Sequence, residues 1–414
     1  MKKFLALTLA LVMSLSLVAC GDKKTDDTKT DAPDQTEQPA ENEGAYKVAM
    51  ITDYGDITDQ SFNQTTYEAC KAFAEDNSIE FSYFKPAGDN TADRVAMIEK
   101  AVDEGFNVIV MPGYAFGGAI VEAAPEFPDV KFIALDVAAG DLLETAVAKA
   151  GEAYDYTPEN WDLNKYVDMS NVYCAVYQEE LCGYMAGYAA VKLGYKNLGF
   201  LGGMSVPAVV RYGYGFVQGV DAAAADLGLT DVKLNYIYGG QFFGDADITA
   251  VMDTWYQGGT EVVFACGGGI YTSAVDAAKK VNAKVIGVDV DQAGVIANYA
   301  GVDGMTVTSA MKGLYPATYD TLTDVIVNGN WDKYVGKIET LGLVSGTDPE
   351  ANYVQIPMGD GTQWSDSFTQ DDYKTMVKDM FDGKITVSNN TSSDVSAADF
   401  ATVITVDDQG SIKG

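Results

Sequence analysis

A repeating beat constrains the fold of this chain more than any other feature: short, continuously apolar runs alternate with amphipathic helical stretches. Runs at 47–51, 107–111 and 130–135 carry apolar or β-branched residues at consecutive positions, as strands covered on both faces require. Between them, residues 62–76 and 91–104 read as helices, the second with Val95, Ile98, Ala101 and Val102 on one face. A short helix over 118–124 comes next. Residues 140–170, including "TPENWDLNKYVDMS", lack a clear period and read as an insertion or elaborated connection near a hinge. The beat then resumes with strands at 172–176, 197–201, 232–238, 261–265 and 284–288, and helices at 178–193, 209–227 and 273–281. From Met305, "MTVTSAMKG" reads as a strand returning toward the first lobe, with a helix over 315–327, a strand at 353–356 and a helix over 369–381.

Strand-helix alternation predicts an α/β fold with parallel sheets. The body is too long for one compact core. Two lobes are therefore expected, 46–170 plus 305–340 and 171–304, with 341–414 packing on them as a C-terminal extension. In such folds ligands sit at the carboxyl ends of the strands.

The N-terminus addresses location. Lys2 and Lys3 precede an apolar stretch over 4–19, shorter than the ~20 residues a spanning helix needs and arranged like a secretory signal. Leu17-Val18-Ala19-Cys20-Gly21 resembles the bacterial lipobox, which implies a signal over 1–20 and lipid attachment at Cys20. Residues 22–44 contain no large apolar side chain and cannot offset their ordering entropy, so 21–45 is expected to be a disordered acidic tether.

Composition removes whole classes of chemistry. The 414 residues include no histidine, which excludes Ser-His-Asp and Cys-His pairs and His-ligated zinc or iron. A formal charge of −33, from 60 acidic and 27 basic residues, argues against nucleic acid as a partner. Cys70, Cys174, Cys182 and Cys266 lack CxxC spacing and sit in apolar contexts, which favours buried free thiols over disulfides.

Strand ends on both halves collect polar and aromatic residues. Asp53 and Phe62-Asn63-Gln64 come after the first strand, Met111-Pro112-Gly113-Tyr114 after the third and Asp136 after the fourth; Gly203 to Pro207, Cys266 to Gly269 and Asp289-Val290-Asp291-Gln292 come after strands of the second half. Carboxylates suit the adjacent hydroxyls of a sugar, aromatic faces a flat ring, and amides a heterocycle edge. Lys312 can balance one buried carboxylate. Each group also has a plainer account: strand-end aspartates cap helices and form turns, Phe62 can staple its own helix, and Tyr212 with Phe216 fits a core face. The triple glycine matches neither GxGxxG nor a P-loop. Asp289-Val290-Asp291 lacks EF-hand spacing for Ca²⁺. The convergence carries more weight than any single position, and Asp56, Asp59 and Gln60 read as loop and capping residues.

"DYGDITDQSFNQTTYEA", "YQEELCGYMAGYAAVKLG", "LGFLGGMSVPAVVRYGYGFVQGV", "VVFACGGGIYTSAVDAAKK", "VIGVDVDQ" and "VTSAMKG" together resemble the basic membrane protein family, the PnrA-like nucleoside-binding lipoproteins of ABC importers. The resemblance spans roughly residues 46 to 330 and implies a type I periplasmic-binding-protein fold, two Rossmann-like lobes with parallel sheets joined by a three-crossing hinge. It implies ligand-binding roles for Asp53, for Phe62 stacking on a base beside Asn63 and Gln64, for Asp136, for Tyr212 on the other face of the base, for Gly267 and Gly268 near the ribose, for Asp289 on the ribose and for Lys312. Tyr212 stands where the family usually has Phe, so its hydroxyl needs a partner.

The chain is thus expected to be a monomeric, lipid-anchored, extracytoplasmic receptor. It would take a nucleoside, with purine favoured, between closing lobes and pass it to an ABC permease, with no cofactor, metal or catalysis. The alternatives are a receptor for a simple sugar or other small polar metabolite, and a nucleoside-hydrolysing enzyme.

Overall fold

The computed structural model describes residues 45–413; the expected signal segment, the tether as far as residue 44, and Cys20 lie outside them. The apolar runs become strands β1 (Lys47–Ile51), β3 (Val108–Pro112), β4 (Lys131–Leu135), β5 (Val172–Tyr177), β6 (Asn197–Gly202), β7 (Lys233–Tyr238), β8 (Val262–Cys266), β9 (Lys284–Asp289), β10 (Thr306–Lys312) and β12 (Val354–Gln355). Three further strands join them: β2 (Glu80–Phe84), β11 (Lys337–Leu341) and β13 (Thr405–Ser411). One sheet has the order β11-β5-β4-β3-β1-β2, the other β12-β10-β9-β8-β6-β7-β13. All neighbours run parallel except β10 and β12. Every residue of β3, β5 and β8 is buried, because helices cover both faces and leave only apolar residues tolerable there.

Two strands belong to the opposite sheet from the one expected. The sequence pattern places β5 in the second lobe, yet it pairs with β4 through Phe132↔Val172. The same pattern returns β10 to the first lobe, yet it pairs with β9 through Ala310↔Val288. Strands buried on both faces carry the same pattern in either sheet, so pairing alone decides their membership. The chain changes sheets just after each: the Glu179–Lys192 helix packs on the Pro207–Asp226 helix, and the Leu314–Leu322 helix packs on the Phe62–Asn77 helix. A third crossing joins β11 to β12. The crossings are tied together, Gln178 N–H donating to Leu341 O at 3.0 Å and Gly313 N–H to Tyr353 O at 2.7 Å.

Residues 140–170 hold more order than their polarity implies. A helix, Ala139–Lys149, buries Leu142, Leu143, Ala146 and Val147, and the rings of Tyr154, Tyr156, Trp161 and Tyr166 pack on one another behind it. Cys70, Cys174, Cys182 and Cys266 are buried free thiols, as their apolar contexts indicate. No helix among the described residues is long and apolar enough to cross a membrane.

Candidate functional site

The carboxyl ends of both sheets face one cavity of about 380 Å³, within the range usual for small-molecule sites. Asp53, Phe62, Asn63, Asp136, Tyr212, Gly267, Gly268, Asp289 and Lys312 all line it. Gln64 does not: its carbonyl oxygen accepts from Gln60 N–H and Gln60 Nε2, and its amide nitrogen donates to Glu68 Oε1. One position further along the helix than Asn63 rotates it about 100° away from the cleft, where it braces the preceding loop.

Asp53 is placed by the end of β1. Its Oδ1 accepts from Tyr54 N–H at 2.6 Å, Gly55 N–H at 2.7 Å and Asn63 Nδ2 at 3.2 Å. Some of its surface faces the cavity, but burial still raises its pKa, against the opposing pull of the Gly55 and Tyr54 amides. Asp59 has the capping role expected of it, taking Ser61 N–H, Asn63 N–H and Gln64 N–H at the start of the helix. It also lines the cavity. Asn63 is buried, and its Oδ1 accepts no hydrogen bond from the protein.

Asp136 and Asp289 occupy equivalent places, each just at or beyond the end of a central strand and each in the left-handed region, with φ of 60° and 66°. That turn aims both carboxylates at Lys312, which ends β10. Lys312 Nζ hydrogen-bonds Asp136 Oδ2 and lies 3.5 Å from Glu179 Oε1 and 3.7 Å from Asp289 Oδ1. Arg211 Nε donates to the other Glu179 oxygen at 2.6 Å. Three carboxylates thus share one buried cation, Lys312, and one partly buried one, Arg211. Burial pushes the Asp136 carboxyl up to about 6, Lys312 pulling it back and Glu179 adding to the rise. Burial by itself disfavours the Lys312 charge, but Asp136, Asp289 and Glu179 outweigh it and raise the ammonium above its ordinary value.

The aromatics converge on the same ammonium, the Phe62 centroid 4.6 Å away and that of Tyr212 5.6 Å, one ring from each lobe. The hydroxyl that distinguishes Tyr212 from Phe has its partner in Asp289 Oδ1, 3.3 Å away, while Ser61 of the opposite lobe donates to Asp289 Oδ2 at 2.5 Å. With Gln292 Nε2 donating to Gln60 O at 3.2 Å, the Ser61–Asp289 bond joins the lobes across the cleft.

Sequence reasoning missed Phe242 and Phe243, which line the cavity from the loop after β7, and the Glu179–Arg211 pair beneath it. The strand-end rule reaches both phenylalanines once "GGQFFG" is placed at the carboxyl end of β7. A Cβ on Gly267, with φ 148°, would come 2.8 Å from the Phe242 ring. The absence of a side chain there leaves room for an aromatic wall.

Two parallel-sheet lobes, three crossings and a cleft lined from both sides define a hinged small-molecule receptor. The family described as "ABC transporter substrate-binding protein PnrA-like" matches residues 46–347, and the chain belongs to it. It is 25% identical over 401 residues to "ABC transporter nucleoside-binding protein BmpA" of Lactococcus lactis, covering 94% of this chain and 99% of that protein. It is 26% identical over 322 residues to "Basic membrane protein B" of Borreliella burgdorferi, covering 75% and 83%. Among solved structures, a solute-binding protein of an ABC transporter system from Aeropyrum pernix shares the fold, with a TM-score of 0.62 at 18% identity, covering 84% of this chain and 95% of that one.

Proposed function

We propose that this chain binds an uncharged nucleoside, with purine favoured, between its two lobes and delivers it to an ABC permease. The observation that carries the reading is the shared cavity wall. Phe62 and Tyr212 come from opposite lobes, strand-end carboxylates Asp136 and Asp289 flank them, and both cations beside them are already matched by carboxylate. Rings suit a base, Asp289 suits a ribose diol, and Asn63 and Asp53 suit a heterocycle edge. The name of the Lactococcus relative supports the same ligand class. Hinge closure, not bond chemistry, is the working step. The Leu17–Gly21 motif supports an extracytoplasmic protein anchored through lipid on Cys20, as do Pyrococcus relatives named as lipoproteins.

Calorimetry with adenosine, guanosine, free bases and pentoses tests this. Nucleosides should bind more tightly than either part alone, and Phe62→Ala should weaken them by about 1–3 kcal/mol with the fold intact. Ribose binding tighter than both nucleosides would shift the reading to a sugar receptor, and hydrolysis of bound nucleoside would overturn it.

A further inference from the structure

The family match ends at residue 347, but the chain beyond it reaches back to the cleft. β13 lies along the edge of β7, pairing Thr405↔Lys233 through Ser411↔Tyr238, and Ile412 N–H continues the ladder to Tyr238 O at 2.8 Å. Immediately after β7 comes the loop that carries Phe242 and Phe243 into the cavity. Lys413 lies against this loop. Its backbone and Cβ occupy the place a side chain on Gly240 would fill, each 2.7 Å from that position. Its Nζ donates to Gln241 Oε1 at 2.6 Å and pairs with Asp245. Gln241 Nε2 in turn donates to Phe243 O at 2.9 Å and to Asp245 Oδ2 at 3.0 Å. On the cleft side, Gly269 N–H donates to Phe242 O at 2.8 Å. The loop is therefore held between the glycine turn after β8 and the C-terminal strand.

We propose that residues 405–413 are a positioning element for the binding cleft, with Lys413 fixing the Phe242–Phe243 loop through Gln241 and Asp245. The strand sets the loop's base by backbone pairing, and the lysine sets its tip by bridging two polar side chains. Lys413 touches no ligand; it acts through the two aromatic rings. The binding half of this inference rests on the nucleoside reading above, whereas the loop-holding half does not.

The test compares the full chain with Lys413→Ala and Lys413→Arg. Adenosine and guanosine affinity is measured by calorimetry, melting temperature by calorimetric scan, and amide hydrogen exchange across 239–245 without added nucleoside. Lys413→Ala should weaken binding roughly three- to tenfold and speed exchange in the loop. The melting temperature should not move, because the β7–β13 ladder is untouched, and Lys413→Arg should restore both readouts. Unchanged affinity and exchange would overturn the proposal, as would an affinity loss that tracks a lowered melting temperature or that Arg fails to recover. If the unaltered protein binds neither nucleoside, the functional reading falls. Loop exchange then decides alone whether Lys413 holds the loop.

Discussion

Glu180 shows how much a single buried residue can govern. It sits next to Glu179 on the helix that leaves β5, is 2% exposed, and its Oε2 has no hydrogen-bond partner. Arg211 is committed to Glu179. Burial, with the neighbouring Glu179 charge added, raises the Glu180 carboxyl from 4.5 to about 7. The folded state therefore holds this proton more tightly than the unfolded chain. Its contribution to stability is complete below about pH 4.5 and is lost as pH rises through about 7. Glu180→Gln keeps the shape and the neutral state. The variant should match the parent near pH 5 and exceed it at pH 8, by on the order of 2–3 kcal/mol. Urea melts across that range check this, and equal pH slopes in the two proteins would refute it. Some slope remains in the variant, because burial also pushes Asp141 to about 7 and Asp136 to about 6.

At the scale of elements, the Glu179–Lys192 and Pro207–Asp226 helices carry Glu179, Arg211 and Tyr212, and backbone contact holds them in register. A Cβ on Gly215 would lie 2.1 Å from Glu180 O, and one on Gly183 would lie 2.3 Å from Tyr212 O. Gly215→Ala should therefore force the helices apart, costing about 1–3 kcal/mol in a thermal melt. It should also weaken nucleoside binding, since Tyr212 and Arg211 move with their helix. An unchanged melt would show that the pair tolerates separation. This glycine interlock is visible in "YGYGFVQGV", but only once the partner helix is known. The same limit governs what else the sequence discloses. Strands with continuous apolar runs are legible, because burial on both faces leaves no alternative composition. β11 and β13, reading KIETL and TVDDQGS, are partly or largely exposed edge strands, and no apolar run announces them. Which sheet β5 and β10 enter depends on pairing, which composition does not encode. Strand-end Asp53, Asp136 and Asp289 are legible because their chemistry and their place in the beat coincide. The 242–243 aromatics escape notice because the polar residues beside them, Gln241 and Asp245, are spent on holding their own loop and do not line the cavity, and Glu179 because a helix-start carboxylate looks like a cap.

For the whole molecule, charge decides which ligands the cleft can admit. The chain carries −33, and the cavity wall repeats that sign: Asp53, Asp56, Asp59, Asp136 and Asp289 line it against only Lys85 and Lys312. Lys85 already pairs with Asp56 at 2.9 Å, and Lys312 with Asp136. A nucleoside brings no charge, so its affinity should be nearly independent of salt. A 5′-monophosphate of the same base adds about two negative charges near neutral pH. It would enter a negative field in a partly desolvated cleft, where like charges repel far more strongly than in water. Monophosphates should bind at least about 100-fold more weakly than their nucleosides, a gap of some 2.7 kcal/mol. Added salt should narrow that gap by screening the repulsion from the exposed acidic surface. Titration of adenosine and its 5′-monophosphate at low and high salt distinguishes this field from simple steric exclusion, which salt would leave unchanged. Comparable affinities for the two ligands would mean that Lys85 or Lys312 leaves its carboxylate for the phosphate, and that the pairing seen here is not what selects the ligand.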